Sequence, residues 1–160
     1  MIIDGIDLTG FTEGIAVRDL YRGKCSSVPP SCGVYVLFRN VLSPPQFFLV
    51  SKAGRFKDLD PSYSAIEVRK AWVINAQIVY VGKAAGAKGL KKRIRQLVDF
   101  GFGKAVGHRG GRLIWHLRGH QTLQLRWRLY SRLNAEKIES RLIKQFKAFH
   151  GKRPFANRNK

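Results

Sequence analysis

A chain of 160 residues with 44% hydrophobic and 25% charged residues is long enough to bury a core and does not have the composition of a disordered protein. Thirty Lys and Arg against ten Asp and Glu give a formal net charge of +20, spread from Arg18 to Lys160. Such an excess repels itself unless a polyanion binds, which disfavours a basic protein without a partner and predicts a nucleic acid. A membrane surface is the weaker alternative, because no run approaches the ~20 apolar residues of a membrane span and no basic amphipathic helix has a broad apolar face.

The two cysteines, Cys25 and Cys32, have no histidine near them in the sequence. Two thiols cannot complete a structural zinc site, so we expect reduced, packed thiols, with a disulfide between them as the alternative. Asp4 and Asp7 interrupt the first apolar residues, and no secretory signal is predicted. The protein is therefore expected in the cytoplasm.

The first part of the chain predicts two strands after a turn-rich extension. Residues 1–32 form this N-terminal extension, in which Ile15–Leu20 fits either a short helix or a strand. Gly33–Phe38 is apolar and β-prone, which predicts a buried strand. After a double-proline turn, Phe47–Val50 predicts a second strand, paired with the first in a hairpin.

The middle of the chain predicts two helices separated by a strand. A charged loop leads into apolar residues at helical spacing over Ser62–Trp72, and Ile74–Val81 predicts the next strand. Ala84–Lys88 is a small-residue loop, and the helix after it has its apolar residues on one face, with Arg93 at the edge. The apolar residues of this face are Leu90, Ile94, Leu97 and Val98.

The last part begins with a glycine-rich, basic loop over Gly101–Gly111 and predicts one or two helical turns over Leu113–Leu117. Leu123–Tyr130 alternates apolar with mostly basic residues, which predicts a half-buried strand with a basic face. Asn134 is predicted to cap a final helix that ends before Gly151. The apolar face of that helix is predicted to contain Ile138, Leu142, Ile143, Phe146 and Phe149.

This order of elements predicts an α/β (α+β) fold in a single domain over residues 1–160. The predicted sheet is small, mixed or antiparallel, has three to four strands and is flanked by helices. The sequence contains no internal repeat, no Walker-type loop and no dinucleotide-binding fingerprint.

Two charged residues on predicted helices are candidates for chemistry. Glu139 lies at the edge of an apolar face, where a carboxylate is costly unless something binds it, so it is a candidate ligand for a divalent metal. The alternative is a surface glutamate paired with Arg141 or Lys144. Arg93 suits a phosphate because its guanidinium is planar, whereas an arginine at a helix edge is more often solvated.

Tyr35 and Tyr80 lie on strands predicted to be neighbours, which would bring both hydroxyls into one cleft; the alternative is ordinary core packing. Lys83 follows Tyr80 by three residues, and a neighbouring ammonium lowers a tyrosine pKa, as a general base requires. The four histidines have no metal-ligand spacing and are expected to be exposed or to contact phosphate.

Five segments stand in order between residues 33 and 157. They are Gly33-Val34-Tyr35, Tyr80-Val81-Gly82-Lys83-Ala84, Leu90-Lys91-Lys92-Arg93, Glu139 with Leu142-Ile143-Lys144, and Pro154 with Asn157. Together they resemble the motifs of the GIY-YIG nuclease family, and they are most similar to the cleavage domain of bacterial excision-repair nucleases. Five ordered matches are far more specific than any one of them.

The resemblance implies a GIY-YIG-like fold and a stand-alone endonuclease that hydrolyses phosphodiester bonds in DNA with a single Mg²⁺ or Mn²⁺ ion. It implies that Glu139 binds the metal and that Asn157 orients either the local backbone or Glu139. It also favours a prokaryotic or phage-like setting. The stand-alone restriction enzymes of the family often pair as homodimers, and a structure-selective or nicking nuclease fits almost as well.

For the reaction itself, the resemblance implies Tyr35 as the general base with Lys83 assisting. Tyr80 would be a positioning group, and Arg93 would bind the scissile phosphate. The metal would polarise that phosphate and stabilise the leaving oxygen.

The sequence departs from the family pattern at two places. Where many relatives have a tyrosine or histidine one helical turn after the arginine, this chain has Leu97, and His108 is a candidate to supply the missing group. Tyr35 and Tyr80 are 45 positions apart, whereas the two motifs usually sit close together. The extra residues, about 43–74, are interpreted as an insertion that contacts DNA or forms a dimer interface, with a structural flap as the alternative.

Seven further basic residues are predicted to contact nucleic acid: Lys91, Lys92, Arg95, Arg109, Arg112, Arg126 and Arg128. A non-catalytic, basic nucleic-acid-binding module is the alternative of a different class, although such a module would be expected to have lost Glu139 or Arg93. An RNA-cleaving nuclease is the third hypothesis, because a basic strand face with Tyr130 would serve RNA or single strands equally well.

Overall fold

Residues 1–158, which the computed structural model describes, form six strands and four α-helices. In chain order these are β1 (Ile2–Ile3), β2 (Ile6–Asp7), β3 (Ile15–Ala16), α1 (Val17–Tyr21), β4 (Gly33–Phe38), α2 (Ala65–Ala71), β5 (Ile78–Ala84), α3 (Gly89–Gly101), β6 (Gln124–Leu129) and α4 (Arg132–His150). Short 3₁₀ helices cover Lys24–Ser27, Phe56–Asp58, Arg112–His116 and His120–Thr122.

The main sheet has four strands in the order β3-β6-β4-β5, and every neighbouring pair is antiparallel. β1 and β2 form a separate antiparallel pair. The predicted α/β (α+β) fold, with a small antiparallel sheet flanked by helices, is confirmed. The turn-rich extension contributes β3 to the edge of the sheet, and the ambiguous segment Ile15–Leu20 contains both a short strand and the start of α1.

β4 is the centre of the molecule, because all six of its residues are buried. Tyr35 and Leu37 belong to a core that includes the apolar residues of α3. Val34, Val36 and Phe38 belong to a second core, which includes the apolar residues of α4 and of the β1–β2 pair. A strand that is buried on both faces has a continuous apolar sequence, so β4 could be predicted from its own residues.

A β-bulge interrupts the pairing of β4 with β5. Leu37 is opposite Tyr80, whereas Phe38 is opposite Ile78, so Val79 is the extra residue. Side chains alternate between faces along a regular strand, and a bulge shifts this alternation by one residue. Ile78 consequently packs in the α4 core, while Tyr80 packs beside Tyr35 in the α3 core.

The predicted strand over Phe47–Val50 is wrong. Only Phe47 makes a β-bridge, to Leu117, and the neighbours of β4 are β5 and β6. The aromatic ring of Phe47 instead packs against Trp72 and Phe155, with ring centroids 5.6 and 5.7 Å away. A short apolar run does not by itself distinguish a strand from a loop that packs its side chains on the core.

The third predicted strand, Ile74–Val81, begins too early. Asn75 has a positive φ of 64°, which belongs to a turn, and β5 runs from Ile78 into the segment expected to be a loop. The beginning of β5 is held by Asp4, whose Oδ2 accepts hydrogen bonds from the Gln77 and Ile78 amides at 2.8 and 2.6 Å. Asp4 Oδ1 lies 2.9 Å from His150 Nε2, which links this turn to the end of α4.

The N-cap of α4 lies three residues before the predicted cap at Asn134. Ser131 is the N-cap residue, and its side chain accepts a hydrogen bond from the Asn134 amide. The helix ends, as predicted, before Gly151, which has a φ of 80°. Phe149, predicted on the apolar face, is 66% exposed and lies outside the core that contains Leu142, Ile143 and Phe146.

Cys25 is buried and Cys32 is half-buried, and both are free thiols. Burial raises the pKa of the Cys25 thiol, which makes it a weak nucleophile. Within residues 1–158, no helix is both long and apolar enough to cross a membrane.

His120 is a histidine buried among aromatic rings. Trp115, Phe102 and Phe48 surround it, with ring centroids at 5.3, 6.3 and 6.3 Å. Its Nδ1 atom is buried without a hydrogen-bond partner among the described residues. Burial, with a smaller contribution from the charge of Lys52, lowers the pKa of His120 to about 4, so the folded protein keeps this ring neutral.

The neutral His120 ring is expected to make the protein sensitive to acid. Between pH 6.5 and about pH 4 the unfolded chain binds a proton at His120 that the folded chain does not bind, so stability falls as the pH falls. Over this window the wild type should lose about 3 kcal/mol more unfolding free energy than His120→Phe. Chemical denaturation at several pH values measures the difference, with the exposed Gln121→Ala as control; parallel pH profiles for wild type and His120→Phe would contradict it.

Candidate active site

A cavity of about 650 Å³ opens where β5 ends and α3 begins. It is also lined by the loop 109–112, by α4 and by the C-terminal segment. Among the predicted catalytic residues, those on the cavity wall are Tyr80, Lys83, Arg93, Glu139 and Asn157. Residues that are up to 77 positions apart in the sequence are therefore brought together by the packing of α3 and α4 around β5.

Glu139 is 6% exposed and lies within the buried stripe of α4, not at its edge. The stripe follows the helical repeat through Ala135, Glu139, Leu142 and Phe146. A carboxylate is costly at such a position unless positive charge surrounds it. Its negative charge acts on Tyr80, where it raises the tyrosine pKa.

Tyr80 is the tyrosine that reaches the cavity. It is 6% exposed, and burial raises its pKa, while the positive charge of Arg93 opposes this shift. The loop backbone at Gly110 lies directly against it, because a Cβ at Gly110 would overlap the Tyr80 hydroxyl and approach Arg93 Nη2 to 3.4 Å. Glycine at this position is therefore required for the loop to close over Tyr80.

Tyr35 lies behind Tyr80 and does not line the cavity. It is fully buried, its ring is tilted against Tyr80 at 6.0 Å, and it packs on Gly82, where a Cβ would overlap the ring. Tyr80 and Arg93 are close enough to affect its pKa, but no group of residues 1–158 meets hydrogen-bond geometry with its Oη. Burial raises the pKa of Tyr35 well above its ordinary value, which opposes the formation of a tyrosinate.

Lys83 lines the cavity and forms an ion pair with Glu136, at 3.1 Å. Glu136 precedes Glu139 by three residues, so the two carboxylates are neighbours on one face of α4. The Lys83 side chain is 24% exposed, which leaves part of its ammonium accessible from the cavity side. The ion pair joins the end of β5 to the first turns of α4.

Asn157 forms hydrogen bonds with the outer edge of β5. Its Oδ1 accepts a hydrogen bond from the Val81 amide at 2.9 Å, and its Nδ2 donates to the Val81 carbonyl at 2.8 Å. The Ala156 amide donates to the Val79 carbonyl at 2.9 Å. Of the two roles implied for Asn157, its hydrogen bonds correspond to orientation of the local backbone.

His108 is buried beside the cavity and is not on its wall. Its ring lies 6.3 Å from that of Phe100, and neither ring nitrogen has a partner in hydrogen-bond geometry within the described part of the chain. Burial, followed by the charge of Arg93, lowers the pKa of His108 to about 3, and a nearby Gly110 backbone group opposes this only in part. His108 is therefore a neutral ring that supports the loop from behind.

The seven basic residues predicted to contact nucleic acid do not all line the cavity. Lys92, Arg109 and Arg112 line the cavity, whereas the other four do not: Lys91, Arg95, Arg126 and Arg128. Arg126 packs over Phe38, on the α4 side of the sheet. Arg128 lies over Tyr130 and donates a hydrogen bond to the Thr9 carbonyl at 2.9 Å.

The N-terminus of α3 does not offer its amides to the cavity. The Leu90 amide donates to the Ser31 carbonyl at 2.9 Å, and the Lys91 amide donates to the Pro29 carbonyl at 3.1 Å. A phosphate in the cavity would therefore be bound by side chains. The basic side chains on the cavity wall are Lys83, Lys88, Lys92, Arg93, Arg109, Arg112 and Arg158.

The donor set of the cavity decides which metal it fits. Residues 1–158 contain no cluster of three His, Cys, Asp or Glu side chains suited to a metal ion, and Glu139 is the one carboxylate on the described cavity wall. Zn²⁺ and Ca²⁺ sites usually need several protein ligands. Mg²⁺ is commonly held by one or two carboxylates together with water and substrate phosphate, so Glu139 fits Mg²⁺ or the similar Mn²⁺.

Four polar residues on the cavity wall were not predicted from the sequence: Tyr63, Lys88, Gln96 and Arg158. Tyr63 comes from the insertion and Arg158 from the C-terminal segment. Neither is part of a periodic pattern, and only the packing of the insertion against the C-terminal segment brings them together. No local signal would have identified them.

No protein-family model, curated protein or solved structure matches this chain. The chemistry of the cavity is therefore inferred from its own residues.

Asn157 is expected to be required for stability. Asn157→Ala removes two hydrogen bonds to Val81 and should lower the free energy of unfolding by about 2 kcal/mol. Asn157→Asp should also destabilise, because a carboxylate can accept from the Val81 amide but cannot donate to its carbonyl. Urea denaturation measures both variants against the exposed Asn40→Ala, and an unfolding midpoint equal to that control would contradict the role.

Proposed function

We propose that this protein is a divalent-metal-dependent endonuclease of the GIY-YIG type that hydrolyses phosphodiester bonds in DNA. One observation carries the proposal: Glu139, a buried carboxylate, shares a cavity with Arg93 and Tyr80, and seven basic side chains line the same wall. A single carboxylate in a strongly positive cavity suits a metal ion and a phosphate together.

The charge of the cavity supports a polyanionic substrate. Arg93 is half-buried and lies close enough to Tyr80 and Tyr35 to change the pKa of both. Its guanidinium presents a planar set of donors that matches the oxygens of a phosphate. Lys92, Arg109 and Arg112 add positive charge at the same wall, where they would contact the phosphates on either side.

In the proposed reaction, a water oxygen attacks the phosphorus atom held by Arg93, and the bond from phosphorus to the leaving sugar oxygen breaks. Tyr80 orients that water, since Tyr80 reaches the cavity, and takes its proton when the tyrosine is ionised. Burial raises the pKa of Tyr80 and the charge of Arg93 opposes this shift, while Lys83 adds positive charge at the same cavity wall. This assignment gives Tyr80 the role that the family resemblance implied for Tyr35, which would support it from behind.

Glu139 would hold the metal ion, and its buried position on α4 fixes the direction of the carboxylate. When bound, a divalent ion supplies Lewis-acid stabilisation of the negative charge on the phosphate and on the leaving oxygen. Asn157 acts indirectly, because its hydrogen bonds to Val81 fix β5 next to Tyr80.

Glu139→Gln is expected to abolish cleavage while leaving DNA binding intact. The amide has the same size as the carboxylate but lacks the charge that holds the metal, so the cleavage rate should fall at least about 100-fold. Cleavage of supercoiled plasmid with Mg²⁺ or Mn²⁺, and with EDTA, measures the loss.

The exposed Glu13→Gln is the matched control and should cleave like the wild type. Discrete fragments from the wild type would indicate a sequence-specific enzyme, and nicks or a smear would indicate a structure-selective or nonspecific one. DNA that is bound but not cut by the wild type would overturn the DNA endonuclease and favour the binding module or RNA cleavage. Cleavage by Glu139→Gln at the wild-type rate would contradict the proposal that Glu139 binds the metal.

The two tyrosines are expected to differ in their effect on the reaction. Tyr80→Phe removes the hydroxyl at the cavity and should lower kcat about 100-fold or more. Tyr35→Phe removes a buried hydroxyl that has no hydrogen-bond partner among the described residues, so it should lower kcat much less and should not destabilise the fold. Plasmid cleavage and thermal unfolding of both variants test this, and the opposite ranking would return the role of base to Tyr35.

A further inference from the structure

The insertion and the C-terminal segment meet at one wall of the cavity, where Tyr63 and Arg158 form a stacked pair. The guanidinium carbon of Arg158 lies 4.4 Å from the centre of the Tyr63 ring, and both residues line the cavity that contains Arg93. A guanidinium is planar, and its contact with an aromatic ring restricts the position of that plane, which prepares its donors for the oxygens of a phosphate.

Tyr63 is fixed from behind by His116. The Nε2 atom of this fully buried histidine accepts a hydrogen bond from the Tyr63 amide at 3.0 Å. Its Nδ1 atom lies 2.9 Å from the Phe48 carbonyl and therefore donates to it, which defines the neutral tautomer with the proton on Nδ1. His116 thus joins two distant points of the insertion and holds the backbone of Tyr63 in one position.

The neighbouring residues add to this fixation. The Ser62 hydroxyl accepts a hydrogen bond from the Ser51 amide at 2.9 Å, and Asp60 accepts one from the Ser62 amide at 2.9 Å. Ser64, directly after Tyr63, is the N-cap residue of α2. The ring of Tyr63 is nevertheless only half-buried, so a rigid backbone presents an accessible aromatic side chain at the cavity.

Arg158 is held less firmly. Its guanidinium lies 3.5 Å from Glu67 Oε2, but the two side chains are 38% and 49% exposed. Exposed ion pairs of this kind contribute little, so a phosphate could replace Glu67 at small cost. Stacking on Tyr63 would keep the guanidinium at the cavity during that exchange.

We propose that Tyr63 and Arg158 bind the nucleotide next to the scissile phosphate, with the guanidinium on its phosphate and the tyrosine ring against its sugar and base. This inference rests on the proposed nuclease function and deepens it, because it gives the insertion a direct part in substrate binding. The insertion then does more than cover the end of the sheet.

The test separates the phosphate contact from the ring contact. Binding of a short DNA duplex is measured in EDTA, where cleavage does not occur, at several salt concentrations. Arg158→Ala should weaken binding and reduce the slope of log affinity against log salt by about 1, the value expected for one lost phosphate contact. Arg158→Lys should keep the slope, since it keeps the charge, but should still weaken binding because the planar stack is lost.

Tyr63→Ala should weaken binding about 10-fold without changing the slope of log affinity against log salt, because the ring is uncharged. Tyr63→Phe should bind nearly as well as the wild type. The exposed Arg22→Ala, at the end of α1 and outside the cavity wall, removes the same charge and should change neither affinity nor slope. Thermal unfolding checks each variant. If Tyr63→Ala fails to fold, the exposed Arg158 variants decide the question.

The outcomes distinguish this inference from the nuclease proposal. Wild-type cleavage together with an Arg158→Ala slope and affinity equal to those of Arg22→Ala would overturn the role of the pair and leave the nuclease standing. DNA binding without cleavage, together with a reduced slope for Arg158→Ala, would overturn the nuclease and retain the pair as a DNA contact. A wild type that does not bind the duplex would overturn both.

Discussion

The bulge in β5 is the constraint on which the arrangement of the site depends. Val79 is the extra residue opposite β4, and it turns Tyr80 to the face of Tyr35 and α3. Lys83, three residues later, faces α4 and pairs with Glu136. One edge strand supplies side chains to both helices that enclose the cavity. A strand without the bulge would place Ile78 and Tyr80 on the same face, so Ile78 could not pack in the α4 core while Tyr80 packs beside Tyr35.

The second constraint is electrostatic. Glu139 occupies a position of α4 that the helical repeat reserves for apolar side chains, and burying a carboxylate there costs several kcal/mol if it is not compensated. The seven basic side chains around the cavity offset this cost, and the carboxylate in turn limits their mutual repulsion. The same arrangement leaves a cavity with a large excess of positive charge. The negative charge of a phosphate group would compensate this excess, which a neutral ligand cannot do.

The elements that sequence reasoning identified are those with one strong local signal. β4 is a continuous apolar run, β6 alternates, and α3 has a single apolar face, so each could be predicted from its own residues. The segment Phe47–Val50 has the same apolar signal without being a strand: the ring of Phe47 packs on Trp72 and Phe155, while Leu49 and Val50 are exposed. Tyr63 and Arg158 could not be found this way, since their meeting depends on contacts between segments far apart in the chain. Arg126 could be predicted as part of a basic strand face. Its position relative to the cavity could not, because the packing of α3 and α4 determines where the cavity lies.

The long insertion is thermodynamically inexpensive for a physical reason. Closing a longer loop costs only about 0.6 kcal/mol for each doubling of its length. Burial of a large aromatic side chain contributes about 1.5 to 3 kcal/mol, and both Phe47 and Trp72 pack against Phe155 of the C-terminal segment. These contacts offset the free-energy cost of closing the loop. They also fix the segment that carries Asn157 and Arg158. The insertion is therefore coupled to the outer edge of β5, so a change in its packing would be transmitted to the position of Tyr80.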